Sequence, residues 1–304
     1  KNKINLPLRF FSYFAEADEQ IQVLSEAIEA NRAISVGKYE TAIPLLQRIV
    51  QIMKTSSGDD SVLTQTSRKN LGEAYFKFGD MFSAESEIQT LQKSLESDPK
   101  CSERFGVSMF LSQIQLFGGK IDSSIETSKK AVSICQSDRN FTPDIDHLGL
   151  ALRQLGTVQM IGTKIEDAET NLLRAIRLSN RPTDQAKAHM CLAAFHAAFN
   201  SKEGRAEAIE HCSEALGIIS GVEKIKKAEA MILTSTAEIK LVDSESHQFP
   251  AKIVEESLEA LKKALKTLEN DCSDVPDLHV AWTLAQMGRC CRLIGQPVTS
   301  EGLL

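Results

Sequence analysis

The stretch Leu71 to Ile88, LGEAYFKFGDMFSAESEI, recurs in outline along the chain. Leu71-Gly72 opens a helical apolar pattern, Gly79 interrupts it, and Ala84 and Ile88 resume it. Gly37-Lys38-Tyr39 leads in the same way to Ala42, Leu46 and Ile49. Leu155-Gly156 leads through Ile165 to Ala168, Leu172 and Ala175. Each frame can be aligned on the small residue that opens its second run: Ala42, Ala84, Ser124, Ala168, Ala208, Ser257 and Ser300. Successive anchors lie 42, 40, 44, 40, 49 and 43 residues apart. Self-similarity at a period of about 20–50 residues marks a stacked array, in which each unit buries its apolar face against its neighbours.

Each unit needs two helices. Gly costs about 1 kcal/mol against Ala inside a helix, so Gly72, Gly156 and Gly288 make sense where a neighbouring helix approaches closely. The Ala or Ser anchor of the second helix serves the same contact. Gly79 falls where the first helix must end, and a positive φ is cheap there. Ala, Leu, Glu and Lys are abundant and aromatics are only 6%. No Asn-Gly or Asp-Gly pair lies between alternating apolar runs, so helices are favoured over hairpins.

The frame Leu71, Gly72, Tyr75, Gly79, Ala84 and Ile88 resembles the tetratricopeptide repeat family. That consensus spans about 34 residues. The longer period here is similar to the kinesin-light-chain branch. The resemblance implies an all-α, right-handed superhelical solenoid of antiparallel helix pairs. Residues 1–14 read as an N-terminal extension. Residues 15–304 read as a single array of about seven pairs, the last cut just inside its second helix, with the natural chain continuing. The family's early Trp is absent from most units, and so is the Pro that closes each one. Loops are expected at Thr55–Ser61, at 138–146 around Pro143, and at Ser179–Asp184. In the last of these, Thr183 and Asp184 are helix-cap candidates after Pro182. A further loop, Asp243–Pro250, reads as an insertion within the sixth unit.

The net charge of −6 and the sequence pI near 5.6 disfavour a nucleic-acid partner, which would call for basic side chains to replace phosphate counterions. No run of 18 apolar residues is present to span a membrane. Seven cysteines, an odd number with no CxxC spacing, read as small apolar core residues of a reducing compartment. Leu6–Phe14, basic and aromatic, reads either as an apolar cap on the first helix or as the tail of an organelle transit segment. The location expected is intracellular and soluble, in the cytoplasm or an organelle interior such as a chloroplast or mitochondrion.

Catalytic patterns are missing. Gly118-Gly119-Lys120 lacks the earlier Gly of a phosphate loop and has Ile121 in place of Ser or Thr, so it reads as a repeat turn. No GxGxxG, HExxH or GxSxG occurs. The six histidines show no metal-ligand spacing, and His196 falls at the helix-contact position equivalent to Gly72. No catalytic residue, cofactor or metal is therefore expected.

The family resemblance places a concave groove along the first helices. It implies groove positions at Asn31, Lys69, Asn70, Glu73, Gln113, Arg153, Gln154, Arg289 and Arg292. Lys and Arg there would suit a carboxylate or an acidic peptide. The chaperone-tail clamp of some family members is not expected. Asn31 and Asn70 match its two Asn positions, but Ala27, Gly106 and Phe110 replace its cations. The expectation is a non-catalytic scaffold that binds a peptide or partner protein in its groove. The alternative is an organellar assembly or regulatory factor that docks onto a larger complex.

Overall fold

The computed structural model describes residues 8–96, 101–137, 145–198, 201–220, 226–246, 251–271 and 278–295. Among them are thirteen α-helices and no strand. The chain divides into two compact units at 142/143. The first unit holds α1 (Leu8–Ser35), α2 (Tyr39–Ser57), α3 (Val62–Phe78), α4 (Met81–Ser94), α5 (Cys101–Phe117) and α6 (Ile121–Ser137). The second holds α7 (Ile145–Ile161), α8 (Ile165–Leu178), α9 (Pro182–Ala198), α10 (Lys202–Ile219), α11 (Lys226–Ser246), α12 (Ala251–Asp271) and α13 (Leu278–Leu293). Within each unit every odd-numbered helix packs on the even one that follows it, and every even one on the next odd helix. In the second unit α7 also touches α9, and α11 touches α13. This is the helical-repeat solenoid implied by the spacing.

The anchors are where the frame puts them. Ala42, Ala84, Ser124, Ala168 and Ala208 are fully buried and Ser257 nearly so; Ser300 lies outside the described residues. The helix crossings explain the small residues. A Cβ on Gly72 would sit 2.6 Å from Ile88 Cδ1, and one on Gly156 would sit 2.7 Å from Leu172 Cγ. The third pair uses serines: Ser112 Oγ lies 3.0 Å from Ser124 Oγ and 2.7 Å from Ser128 Oγ, all buried. The fifth pair inverts the arrangement. His196 stands on its first helix at the position of Gly72, and Gly204 on the second helix lies close to the first helix's backbone, since a Cβ there would lie 2.7 Å from the His196 carbonyl oxygen.

The described turns that follow odd-numbered helices share one geometry. Gly37, Gly79, Gly119 and Gly295 hold φ of 73°, 95°, 75° and 77°. The Gly79 amide donates to Phe76 O and the Asp80 amide to Tyr75 O, which satisfies carbonyls that the helix end would orphan. Thr163 takes the same place in the fourth pair at φ 59°, the one non-glycine with positive φ among the described residues. Gly118-Gly119-Lys120 is such a turn. Its lysine serves packing: Lys120 Nζ lies 2.6 Å from Glu85 Oε2. Glu85 is buried and also accepts from Gln89 and Gln115, so α4, α5 and the α5–α6 turn are tied by one satisfied carboxylate.

Several boundaries differ from the sequence reading. α1 begins at Leu8, so residues 8–14 are helical. No Gly or Pro follows Pro7 to stop a helix there. α2 runs on to Ser57 and α11 to Ser246, which shortens two of the expected loops. α9 starts at Pro182 itself, because proline's fixed φ suits a first helical position. Thr183 and Asp184 are therefore inside the helix, and buried Asp184 pairs with Arg181 at 3.0 Å. The loop around Pro143 lies largely outside the described residues.

Cys135, Cys191, Cys212, Cys290 and Cys291 are free thiols, all buried except half-buried Cys191. Burial pushes Cys135 and Cys290 up to about 11, which leaves them inert core residues. Among the described residues no helix is long and apolar enough to cross a membrane.

Not every helical glycine sits at a crossing. A Cβ on exposed Gly217 of α10 would meet nothing within 4 Å. Gly217→Ala is expected to stabilise the second unit by about 0.5–1 kcal/mol through helix propensity alone. Urea denaturation checks it, and an unchanged or lowered midpoint would show that this surface is not free.

Candidate functional site

The helices leave clefts on one kind of face. In the second unit a cleft of about 380 Å³ opens between α9 and α11. Its floor is a stripe of small side chains on α9, Ala193, Ala194, Ala197 and Ala198, faced by Ile239 and Val242 of α11. Residues 193–194 and 197–198 recur one helical turn apart, so this face of α9 has almost no side-chain bulk to fill the space. Two charged residues complete the wall, Glu238 from α11 and buried Arg205 from α10. Glu238 Oε1 accepts from Gln286 Nε2 of α13 at 3.2 Å, and the Gln286 Oε1 is enclosed without a hydrogen-bond partner.

In the first unit two smaller-walled clefts share α3. One of about 360 Å³ is lined by Gln65, Lys69 and Asn70 of α3, by Leu91 and Leu95 of α4, and by Gly106 and Val107 of α5. The other, about 170 Å³, gathers Asn31 of α1 with Asn70, Glu73 and Lys77 of α3 against Tyr39 and Leu46 of α2. Asn70 borders both. In all three clefts most lining residues come from odd-numbered helices, the first of each pair.

The nine groove candidates are distributed accordingly. Asn31, Asn70 and Glu73 share the smaller cleft, and Lys69 joins Asn70 in the larger. Gln113 is exposed on α5. On α7, Arg153 is half-buried with its Nε enclosed and unbonded, while Gln154 is only 8% exposed. Gln154 therefore serves packing more than display, because α7 is covered by both α8 and α9. Arg289 is half-buried and Arg292 exposed on α13. The α9–α11 cleft contains none of the nine. Charge and amide residues guided that selection, whereas the α9–α11 cleft is floored by alanines, whose signal in sequence is the unusual run AAFHAA at residues 193–198.

Three histidines that show no motif in sequence meet across α9 and α10. His189 Nδ1 and His211 Nδ1 are 3.3 Å apart. The His196 and His211 rings stack with centroids 5.4 Å apart and an 18° interplanar angle. His196 Nδ1 lies 2.9 Å from Glu207 Oε2. Burial holds both His189 and His211 below the ordinary imidazole value of 6.5, with the neighbouring histidines lowering His211 further. Among the described residues no group of three or more His, Cys, Asp or Glu side chains is arranged to hold a metal ion.

No protein-family model and no curated protein sequence matches this chain. Solved structures do. The apo form of the quorum sensor NprR from B. thuringiensis superposes with a TM-score of 0.65 at 10% identity, covering 94% of this chain and 75% of that one. Aspartyl phosphate phosphatase F of Bacillus subtilis gives a TM-score of 0.65 at 12% identity over 97% of this chain and 72% of that one. Kinesin light chain TPR-like repeats from Podospora anserina give a TM-score of 0.54 at 16% identity, covering 66% of this chain and 96% of theirs. The chain has the tetratricopeptide-repeat fold. At such identities the likeness to each neighbour, the kinesin light chain included, is one of fold. The second helices α6 and α12 carry the exposed charge pairs Lys129–Glu126 and Lys262–Glu259.

Proposed function

We propose that this tetratricopeptide-repeat chain is a non-catalytic scaffold that holds a peptide segment or partner surface against its first helices. The observation that carries the reading is the shared origin of the three clefts, each walled mainly by odd-numbered helices. An alanine-floored slot accepts apolar side chains at little cost, and Arg205 and Glu238 at its wall would orient a polar backbone or terminus. In the first unit Lys69 and Lys77, each sharing its cleft with one glutamate (Glu103 and Glu73), supply the cations for an acidic partner, with binding that weakens as salt rises. The neighbouring structures include a quorum sensor and a phosphatase, so the fold alone does not separate recognition from catalysis. The scaffold reading rests on the clefts.

The test fills one cleft and reverses charge at another. Ala194 is exposed, so Ala194→Trp can block the α9–α11 slot without entering the core. With a partner isolated by affinity capture, Ala194→Trp or Lys69→Glu is expected to weaken binding by about tenfold or more, about 1.4 kcal/mol. The melting temperature should stay nearly constant, since exposed groups contribute little to stability. Lys129→Glu and Lys262→Glu on the second helices should leave binding nearly unchanged. Loss of binding in those two variants, with the cleft variants intact, would move the interface to the second-helix face. Turnover of a small molecule by the purified protein that survives the cleft changes would end the scaffold reading.

A further inference from the structure

Phe78, Phe82 and Phe117 of the first unit are exposed, but nothing in the structure says what would cover them. The histidine cluster of the second unit carries more. Two imidazoles whose Nδ1 atoms face each other at 3.3 Å hold one hydrogen between them, with one ring donating N–H and the other accepting with its lone pair. Protonating both rings destroys that contact. Both nitrogens would then be donors, and two positive rings would face each other across a partly buried helix interface. His196 is stacked on His211.

We propose that His189 and His211, with His196 stacked on His211, form a proton-sensitive latch between α9 and α10, closed when the facing His189 and His211 rings are neutral and loosened when both are protonated.

The surroundings set the balance. From α10, Glu207 and Glu210 act on His211 and Glu214 acts on His189, each favouring the protonated ring, and Glu207 also lies against His196. Against them stand burial and the mutual repulsion of the rings, and the net direction for His189 and His211 is downward. The helices packed on this pair meet it through apolar side chains. α8 contributes Ala168, Leu172 and Ile176 beside Leu192 and Phe195, and α11 contributes Ile232 and Ile239 beside Cys212.

The sign follows from linkage. The unfolded chain takes up protons near the ordinary value of 6.5, while the folded His189 and His211 resist. Stability is therefore on a plateau above about pH 6.5 and falls as pH drops from there toward the folded values. The residues next to two of the latch histidines, Met190 and Ala197, line the α9–α11 cleft, so loosening the pair disturbs that wall first. The latch itself stands without any ligand and does not depend on the scaffold reading.

Two ligand-free measurements test it. Thermal unfolding at pH 7.5 and 5.5 should show a Tm several degrees lower in acid for the native sequence. The double variant His189→Asn with His211→Asn keeps an amide near each Nδ1 but cannot titrate, and should lose at least half of that difference. A full acid-induced drop in the double variant, or none in the native protein, would overturn the latch. Histidine ring titration by NMR on the native protein needs no variant. Two of its six histidines should titrate below 6.5, with hydrogen exchange of α9 and α10, corrected for intrinsic rates, rising as they do. All six titrating at or above 6.5, or exchange in α9 and α10 unmoved by their titration, would equally refute it.

Discussion

Gly156→Leu is expected to destabilise the second unit by about 1–3 kcal/mol, the usual range for forcing bulk into a packed contact. Even the first added carbon would lie 2.7 Å from Leu172 Cγ and 3.0 Å from the Ala168 carbonyl oxygen. The second of these is backbone and cannot rotate away. Gly72→Leu in the first unit should cost less, because the atoms its Cβ meets first are Ile88 Cδ1 and Cγ1, the outer part of a side chain, and the Ala84 carbonyl stays 3.7 Å off. Ala84→Leu, at a fully buried anchor, should behave like the glycine changes. The recovered helix propensity, at most about 1 kcal/mol, is too small to cancel the clash. Thermal or urea unfolding decides it: parent-like stability for all three would mean that the helices do not cross at these residues.

Leu172→Ala is expected to be costlier still, about 2–5 kcal/mol, from lost burial and the cavity left behind. Leu172 is 0% exposed and sits in the cluster that joins α8 to α9 through Ala168, Leu192 and Phe195. In a stacked array each contact is shared only with neighbours, so the damage should concentrate on the fourth and fifth pairs. Hydrogen exchange would show α8 and α9 opening before α12 and α13. The pairing of Gly156 with Leu172 adds a sharper measurement. Gly156→Ala should be less harmful in the Leu172→Ala background than in the parent, because the atom it strikes is gone, with a coupling of about 0.5–3 kcal/mol. Strict additivity of the two changes would contradict the contact.

The repeat was legible because its signals are local or strictly spaced. A glycine that ends a first helix, as at Gly79 or Gly119, needs only its own φ. A small residue at Ala42, Ala84, Ala168 or Ala208 needs only the helical period to place it on the contact face. These features survive reading one residue type at a time, and the structure buries each of those anchors. The helix limits were less legible where propensity ran on without a breaker, as from Leu8 into α1 and from Asp243 to Ser246 in α11.

The candidate site was legible only in part, and the residues show why. Asn31, Asn70 and Glu73 converge as the repeat register implies, since equivalent positions of stacked first helices are neighbours. Gln154, one position along from Arg153, turns inward by about 100° and is buried. The alanine-floored cleft escaped a search for polar groups because its defining property is missing bulk. The histidine latch escaped for another reason. His189 and His196 are seven residues apart and share a face, but His211 meets them only through the rotation of α10 against α9. Helical period and residue size in the sequence determined which faces must be covered and where the chain must turn. Which side chains then meet across those faces depends on the crossing and rotation of neighbouring helices, set by the packing of many residues at once, and that was decided only by the tertiary structure.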